Sequence, residues 1–259
     1  MFQESKTGRT HCTILSNEPL ATGVWELVFE APAMAESARP GQFVSVYCRH
    51  QGQLLPRPIS LCEIDKENGR LHLVYACRGK GTREFADYRP GEHIEVMGPL
   101  GNGFPLDKAG DTNLIIGGGV GTPPLLELCK RLPGRNVIVV SFRSDPYLLS
   151  RLEQYGEVLV ATRDGSVGVR GNAMKIVEER GLEGTIFACG PTPMLHAVQT
   201  YAADKGLPAY LSLEARMGCG FGCCVGCVIK VRDTSEAGFS YNKVCKDGPV
   251  FAAEEVVFS

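Results

Sequence analysis

Four cysteines near the C-terminus have a spacing that suits an iron–sulfur cluster. Cys219, Cys224 and Cys227 follow the pattern C-x4-C-x2-C, and Cys245 lies 18 residues further along. This is the spacing of plant-type 2Fe–2S sites, in which four thiolates hold the cluster. Glycines fill the gaps, and glycine permits the close backbone approach and unusual dihedral angles that such a loop needs. The pattern therefore predicts a protein that moves single electrons.

Two other uses of these cysteines are open at this stage. A zinc site would favour two C-x2-4-C pairs, and Cys245 has no cysteine close to it in the sequence. A disulfide framework is typical of small secreted proteins, and the N-terminal segment has no apolar core of a signal peptide. Cys223 lies outside the spacing pattern and is predicted to be a spare thiol.

The composition limits the class of protein. The chain has 259 residues with a net charge of −2, which argues against a nucleic-acid binder. It has no run of about 20 apolar residues, so no membrane span is expected. Its eleven cysteines lie mostly in apolar segments, as buried thiols do in a reducing cytoplasm. We therefore expect a cytoplasmic protein.

Hydrophobic patterns divide the chain into three predicted domains, 1–102, 103–211 and 212–259. In the first, short β-branched and aromatic runs alternate with turns, and two Arg-Pro-Gly sequences, at Arg39 and Arg89, each precede a strand. This predicts an antiparallel β-barrel. In the second, apolar strands alternate with helices, which predicts a parallel α/β sheet. The third is too small for a large core and would gain stability from a cluster. The predicted strands and helices are 12–15, 24–29, 43–47, 71–75, 93–96, 114–116, 136–142, 158–161 and 185–188, and 124–131, 174–180 and 194–205.

Several short motifs could bind a nucleotide. A glycine turn follows a strand and opens a helix, where a pyrophosphate can approach the backbone and the helix N-terminus. An arginine and a serine on one strand can pair with phosphate oxygens. Each motif alone is also compatible with an ordinary turn or strand end. The motifs are Gly117-Gly118-Gly119-Val120-Gly121, Arg57-Pro58-Ile59-Ser60, Gly79-Lys80-Gly81-Thr82 and Cys189-Gly190-Pro191.

The order of these motifs resembles the ferredoxin–NADP reductase superfamily over nearly the whole chain. The resemblance implies that FAD contacts the Arg57–Ser60 strand, the strand of Val74, Tyr75 and Ala76, and the turn of Gly81 and Thr82. It implies that NAD(H) contacts the glycine turn and Cys189–Pro191. Cys189 would lie near the two reacting rings, and Cys189 and Glu214 are candidates to tune the flavin.

Asp145 follows the second strand of the nucleotide domain. A carboxylate near the ribose accepts a hydrogen bond from a 2′-hydroxyl and repels a 2′-phosphate. Arg143 would act in the opposite sense. We expect a preference for NADH over NADPH.

The C-terminal segment is similar to one group within the superfamily, the electron-transfer subunits of class 1B dihydroorotate dehydrogenases. The similarity lies in 211–227 and 243–251 and assigns the cluster ligands as Cys219, Cys224, Cys227 and Cys245. It implies FAD, one 2Fe–2S cluster and a separate FMN-containing subunit that oxidises dihydroorotate in pyrimidine synthesis, with two copies of each chain. Flavin converts two-electron into one-electron chemistry, so no acid–base pair is expected.

Three alternatives are compatible with the sequence. A related reductase subunit could serve another flavoprotein, such as a sulfide dehydrogenase or an NADH-dependent ferredoxin:NADP oxidoreductase. An oxygenase reductase would need a longer cluster domain than 212–259. A zinc-stapled binding module would have no redox activity.

Overall fold

The computed structural model describes residues 8–50 and 52–258. The N-terminal hexapeptide, on which the expectation of no signal peptide is based, lies outside these residues. In the described ranges, no helix combines the length and apolar character needed to cross a bilayer.

The first part of the chain forms a closed antiparallel barrel with strand order β1-β2-β5-β4-β3-β6. Residues of one strand alternate between its two faces, so that Val44 and Val46 of β3 point into the barrel while Phe43 and Ser45 point out. The barrel confirms the predicted fold. Its elements are β1 (Thr10–Ala21), β2 (Val24–Glu30), α1 (Pro32–Ser37), β3 (Phe43–Tyr47), β4 (Arg57–Asp65), β5 (Arg70–Ala76), α2 (Lys80–Ala86) and β6 (His93–Leu100).

Two Pro-Gly turns feed barrel strands, as the sequence predicts. Gly41 before β3 has φ +89° and Gly91 before β6 has φ +85°. Both values lie in the left-handed region, which glycine reaches without steric cost. The hydrophobic pattern did not predict β4, but the family resemblance implied a strand at Arg57–Ser60, where β4 begins.

The second part is a parallel sheet with helices, in the order β10-β9-β8-β7-β11-β12, as predicted. Its central strands are buried on both faces, which accounts for their continuous apolar sequences. The elements are β7 (Thr112–Gly118), α3 (Pro123–Arg131), β8 (Arg135–Phe142), α4 (Leu149–Leu152), β9 (Glu157–Thr162), β10 (Val169–Arg170), α5 (Ala173–Arg180), β11 (Thr185–Cys189), α6 (Thr192–Lys205) and β12 (Ala209–Ser212).

The C-terminal segment joins both other parts. β13 (Val228–Arg232), β14 (Phe239–Lys243) and β16 (Val256–Val257) form a three-stranded sheet. β15 (Val250–Ala252) instead pairs antiparallel with β12 and becomes the edge strand of the nucleotide-domain sheet. The segment therefore shares a core with the sheet and does not hang from it by a linker.

Candidate functional site

Arg57 is held in place by its own loop. Its Nη1 donates to the carbonyl of Leu55 at 2.5 Å, and its Nη2 donates to Oε1 of Gln53. A Cβ placed on Gly81 would lie 2.5 Å from Nε of Arg57. Glycine at position 81 therefore lets the guanidinium rest against the first turn of α2, where a phosphate could meet both.

The first turn of α2 is closed by Thr82. Its Oγ1 accepts hydrogen bonds from the backbone N–H groups of Arg78 and Gly79, at 3.0 and 3.1 Å. The turn is ordered by its own side chain, as a phosphate-binding turn must be before it can bind. The predicted contacts of Gly81 and Thr82 with FAD stay a prediction.

Of the three β5 residues predicted to contact the flavin, Val74, Tyr75 and Ala76, only one lines the cleft between the barrel and the nucleotide domain. Ala76 lines the cleft. Tyr75 points into the barrel, where its hydroxyl donates to Oδ1 of Asn17 at 3.1 Å. Since side chains alternate along a strand, the structure does not bring the side chain of Tyr75 to a flavin in this cleft. Val74 packs in the core between barrel and nucleotide domain.

On β4, the remaining motif residues lie next to β3. Pro58 pairs with Ser45, Ile59 with Val44 and Ser60 with Phe43. All three motif residues are half-buried. Their strand is therefore in place for a flavin, and the contacts themselves stay a prediction.

A cleft of ≈ 1320 Å³ separates the barrel from the carboxyl ends of the nucleotide-domain strands. In doubly wound sheets this edge is where ligands bind. Gly118, Gly119, Gly190 and Pro191 line it, so the structure brings the two glycine motifs together. A Cβ on Gly118 would lie 2.8 Å from Cδ of Pro191, and one on Gly121 would clash with the carbonyl of Cys189. Gly117, the first residue of the glycine turn, lies close to the side chains of Thr122 and Leu125.

Cys189 is buried at the end of β11, close to Glu214. Burial raises the pKa of the Cys189 thiol to about 12, and the nearby Glu214 carboxylate adds to this. Glu214 lines the cleft, where desolvation by the surrounding walls raises its pKa although Arg78 opposes the shift. Both side chains therefore favour their protonated, uncharged forms more than usual. A protonated thiol is a poor nucleophile, so these groups suit an influence on a bound flavin or nicotinamide ring rather than covalent chemistry.

Asp145 bridges the nucleotide domain and the barrel. Its Oδ2 accepts hydrogen bonds from the backbone N–H and the hydroxyl of Thr22, at 2.8 and 3.0 Å. These bonds lower the pKa of the carboxyl. Asp145 lines the cleft together with Arg143 and Arg163. One carboxylate oxygen is thus used by Thr22, and the predicted contact with a ribose stays a prediction.

Tyr147 lines the cleft, and its buried hydroxyl has no hydrogen-bond partner among the described residues. A buried polar group without a partner is costly. The glycine cradle and this hydroxyl fit a dinucleotide in the cleft. Oγ1 of Thr122, close to Gly117, is also buried without a partner in the described part of the chain.

The four predicted ligand cysteines lie in two pairs. Sγ of Cys227 is 3.3 Å from Sγ of Cys245, and both residues are buried. Sγ of Cys219 accepts the N–H of Cys224 at 3.3 Å and also lies within hydrogen-bond reach of the Cys224 thiol. Within the described ranges, no group of three or more histidine, cysteine or carboxylate side chains converges on one point. Two thiol pairs fit a 2Fe–2S cluster, which has two irons and four thiolate ligands.

The loop 217–227, called the cluster loop below, stabilises a thiolate. Burial raises the pKa of the Cys219 thiol, but N–H groups of Cys224 and Phe221 outweigh burial and lower it to about 6. Across the loop, Nζ of Lys243 donates to the carbonyl of Gly222 at 2.8 Å. Since metal ligands must be deprotonated, this arrangement favours binding of a metal cluster.

The neighbours Cys223 and Cys224 point in different directions. Cys223 is exposed, whereas Sγ of Cys224 accepts the N–H of Gly226 at 3.5 Å inside the loop. Phe221 is 51% exposed and Val225 is 71% exposed. The tip of the cluster loop therefore shows two apolar side chains to solvent.

The cluster loop rests on the outer face of the barrel. A Cβ on Gly220 would lie 2.6 Å from Oγ of Ser45, and Gly220 has φ +80°. Oγ of Ser45 is fully buried and has no partner among the described residues. Ser45 pairs across the sheet with Pro58 of the flavin motif. The cluster loop therefore packs on β3, the immediate neighbour of β4 in the barrel.

Sequence reasoning missed several residues of this site. Thr122 directly follows the glycine turn, so its position could have indicated a role. Thr22 and Ser45 carry no signal in the sequence, because only the packing of the barrel against the other domains brings them to the site. The same is true of Arg78, next to the Gly79–Thr82 turn.

Comparison with known families agrees with this geometry. The family of the iron–sulfur cluster binding domain of dihydroorotate dehydrogenase B matches residues 214–257. The oxidoreductase FAD-binding domain family matches residues 11–104. The two matches cover the cluster loop and the barrel.

Relatives match the full length of the chain. It is 42% identical over 259 residues to the dihydroorotate dehydrogenase B (NAD(+)) electron transfer subunit of Geobacillus thermodenitrificans, covering 96% of this chain and 99% of the relative. It is 44% identical to that of Bacillus caldolyticus, with the same coverage.

Solved structures share the fold. A chain of the NADH-dependent reduced ferredoxin–NADP oxidoreductase is 29% identical with a TM-score of 0.84, covering 95% of this chain and 89% of that one. Phthalate dioxygenase reductase, at 18% identity, 92% and 77% coverage and a TM-score of 0.60, shares the fold alone.

Proposed function

This chain belongs to the family of electron transfer subunits of dihydroorotate dehydrogenase B, and we propose that it carries electrons between NAD(H) and a catalytic subunit that oxidises dihydroorotate to orotate. FAD exchanges a hydride with the nicotinamide, and the 2Fe–2S cluster passes electrons one at a time. The sequence interpretation as this family is confirmed, in preference to an oxygenase reductase or a zinc-stapled module.

The chain's own groups position the cofactors. Arg57 and the first turn of α2 would hold the FAD pyrophosphate. The glycine turn before α3 and the Cys189–Pro191 turn would hold the nicotinamide nucleotide against the barrel. Cys219, Cys224, Cys227 and Cys245 would be the cluster ligands. Glu214 and Cys189 would adjust the surroundings of the reacting rings without exchanging protons with the substrate.

One observation carries this proposal: the three candidate cofactor sites lie on neighbouring elements. The flavin motif is on β4, the cluster loop packs on β3 at Ser45, and the nucleotide cleft opens beside β5. Electrons from dihydroorotate would enter from the partner at the exposed tip of the cluster loop and pass through the cluster to the flavin. They would leave at the cleft, as a hydride to NAD⁺.

The partner we propose is an FMN-containing dihydroorotate dehydrogenase subunit, in a heterotetramer with two copies of each chain, in the cytoplasm. The exposed Phe221 and Val225 support a protein contact at the cluster loop, because exposed apolar residues that group together mark interaction sites. The near-neutral charge supports the absence of a nucleic-acid partner.

We also propose NADH as the preferred nicotinamide. Asp145 is fixed at the mouth of the cleft by Thr22, where its second carboxylate oxygen can meet a ribose hydroxyl. Diaphorase rates with NADH and with NADPH would test this. Equal or faster reduction with NADPH would contradict the proposal.

The experiment that tests the electron-transfer role combines this chain with its candidate partner. Alone, the purified chain should contain FAD and iron and reduce dyes with NADH, but it should not oxidise dihydroorotate. After co-expression, a complex isolated by size exclusion should couple dihydroorotate to NAD⁺. The role would be refuted by a chain that turns over dihydroorotate alone, or by a partner that uses NAD⁺ without it.

A further inference from the structure

Helix α3 carries a carboxylate that is completely buried against the barrel. Glu127 has 0% exposure, and its Oε2 accepts the backbone N–H of Ile64 on β4 at 3.0 Å. Its Oε1 accepts Nε of Arg131 at 2.6 Å, and Nζ of Lys130 lies 3.9 Å from Oε2. A side chain of the nucleotide domain thus binds the backbone of a barrel strand.

The N–H of Ile64 is available because β4 has an open edge at this point. β4 pairs with β3 only through Arg57–Ser60, and with β5 from Leu61 to Asp65, with a register irregularity between Leu61 and Glu63. The N–H of Leu61 still donates to the carbonyl of Gln42, just before β3, at 3.0 Å. Beyond Leu61, the side of β4 that faced β3 has no strand beside it in the described part of the chain. Glu127 supplies the missing acceptor, and helix α3 covers the edge.

Stability alone does not explain a buried carboxylate. Transfer of such a charge from water is expensive, and replacing a buried ion pair by apolar side chains is often neutral or stabilising. The hydrogen bond from Ile64 to Glu127 is directional, so it fixes the position of helix α3 along strand β4. An apolar side chain would allow the helix to slide along the barrel.

The two elements that Glu127 joins each carry a cofactor motif. β4 begins with Arg57–Ser60, and α3 begins immediately after the Gly117–Gly121 turn. A second set of contacts lies along the same seam: Arg151 of α4 bonds to Glu26 and Glu63 at 2.8 and 2.6 Å. Together, these contacts fix the distance between β4, which carries the Arg57–Ser60 motif, and α3, which follows the glycine turn.

From this geometry we propose that Glu127 is a positioning residue for hydride transfer, which sets the nicotinamide at reacting distance from the flavin. The inference builds on the proposed function above. Reacting atoms must approach to about 3–3.5 Å, and a displacement of about 1 Å can cost ~100-fold in rate. Glu127 touches neither cofactor and acts through Ile64 and through helix α3.

The test uses the full chain with its FAD and cluster, and stopped-flow reduction of the flavin by NADH. Glu127→Met keeps the volume and removes the acceptor. We expect a maximal reduction rate about 10- to 100-fold lower, an unchanged NADH concentration for half-maximal rate, and wild-type FAD and iron contents. The thermal midpoint should be lower, because the buried N–H of Ile64 loses its acceptor. The long-wavelength charge-transfer absorbance between nicotinamide and flavin should weaken.

Three further variants make the test specific. Glu127→Gln keeps an oxygen that can accept the N–H of Ile64 and should recover most of the rate. Glu127→Asp keeps the charge but shortens the reach, so it should lose rate like Glu127→Met and decides the case if Glu127→Met does not fold. Glu157→Gln, which removes a surface partner of Arg135, is the matched control and should behave as wild type.

A wild-type rate and charge-transfer band in a folded Glu127→Met or Glu127→Asp protein would overturn the inference. So would a rate loss that is fully accounted for by loss of FAD from the Glu127 variants, since that is a purely structural effect. A wild-type chain that binds no FAD, or whose flavin NADH does not reduce, would instead contradict the proposed function.

Discussion

Cys223 and Cys224 are neighbours in the cluster loop, but their side chains have different surroundings. Cys224 lies beside Cys219 and accepts the N–H of Gly226, while Cys223 faces solvent. The spacing rule selected Cys224 from the sequence, and the orientation of the two side chains supports that choice.

Replacement of the two cysteines should therefore have opposite results. Cys224→Ser should lose the iron–sulfur absorbance and electron paramagnetic resonance signal, because an iron loses one of its two thiolates. Cys223→Ala should keep both signals, together with the full iron content. Loss of the cluster in Cys223→Ala and its retention in Cys224→Ser would reverse the assignment.

Arg57 should govern the retention of FAD. Arg57→Ala removes a charge-assisted contact with a phosphate, worth about 1.5–3 kcal/mol, so FAD should bind roughly 10- to 100-fold more weakly. The measurement is the FAD content after dialysis, with fluorescence titration of the released flavin. Arg135→Ala, a change in a surface ion pair, should keep its flavin. An Arg57→Ala protein that holds FAD as wild type does would remove Arg57 from the site.

At the scale of elements, the sequence predicts those strands and helices whose periodicity is undisturbed. The buried strands β7, β8 and β11 and the helices α3, α5 and α6 agree with prediction to within a few residues. The strand β4 was missed because Pro58 interrupts its apolar pattern, and proline removes a ladder donor. β13 and β14 were missed because they are short and have almost no fully buried residues.

The ion pairs between α4 and the barrel should make the stability of the domain contact depend on pH. Burial raises the pKa of Glu26 and of Glu63, but hydrogen bonds from His72 and Arg151 to Glu26, and from Arg151 to Glu63, outweigh it and lower both values. Carboxyls with lowered pKa stabilise the folded state above their unfolded pKa, near 4.3, and lose this contribution as the pH falls through the folded pKa.

Arg151→Met should consequently lower the thermal midpoint at pH 7, with a cost of about 1–3 kcal/mol for charged hydrogen bonds left without a donor. The difference from wild type should begin to shrink below about pH 4.3 and vanish as the pH falls through the lowered pKa values of the two carboxyls in the folded wild type. Scanning calorimetry over this range measures it. Arg135→Met should stay within about 0.5 kcal/mol of wild type throughout, and a deficit of Arg151→Met that does not shrink as the pH falls would contradict the prediction.

For the whole molecule, the exposed tip of the cluster loop should decide assembly. Phe221→Ser combined with Val225→Ser should weaken binding to the catalytic subunit, since loss of central apolar contacts costs about 1–2 kcal/mol or more each. Sedimentation of the mixed subunits measures the affinity, and the rate of dihydroorotate-dependent NAD⁺ reduction should fall at limiting concentration. Dye reduction by NADH alone should be unchanged.

Val167→Ser is the control for this experiment, because Val167 is also exposed, at 40%, but lies in the nucleotide domain between β9 and β10. It should assemble as wild type does. If the double variant binds the partner with wild-type affinity, the cluster loop is not the contact.

The sequence anticipated the parts of the site more completely than their arrangement. The four cysteines and the nucleotide turns are local patterns, and each reads directly from spacing. The contacts of Ser45 with Gly220, Thr22 with Asp145 and Glu127 with Ile64 join residues that are far apart in the chain. Such contacts form only when folded domains pack against each other. A local hydrophobic pattern in the sequence carries no information about that packing.

The edge strand β15 has a consequence for engineering. Because Val250–Ala252 completes the sheet of the nucleotide domain, the cluster-bearing segment is not an interchangeable cassette. A chimera that exchanged residues 212–259 for another redox module would leave β12 with an unpaired edge, and open edges invite pairing between molecules. A transplanted module would have to supply its own edge strand, in the register in which β15 pairs with β12. Fusion points for engineered electron carriers therefore belong before β7 rather than after β12.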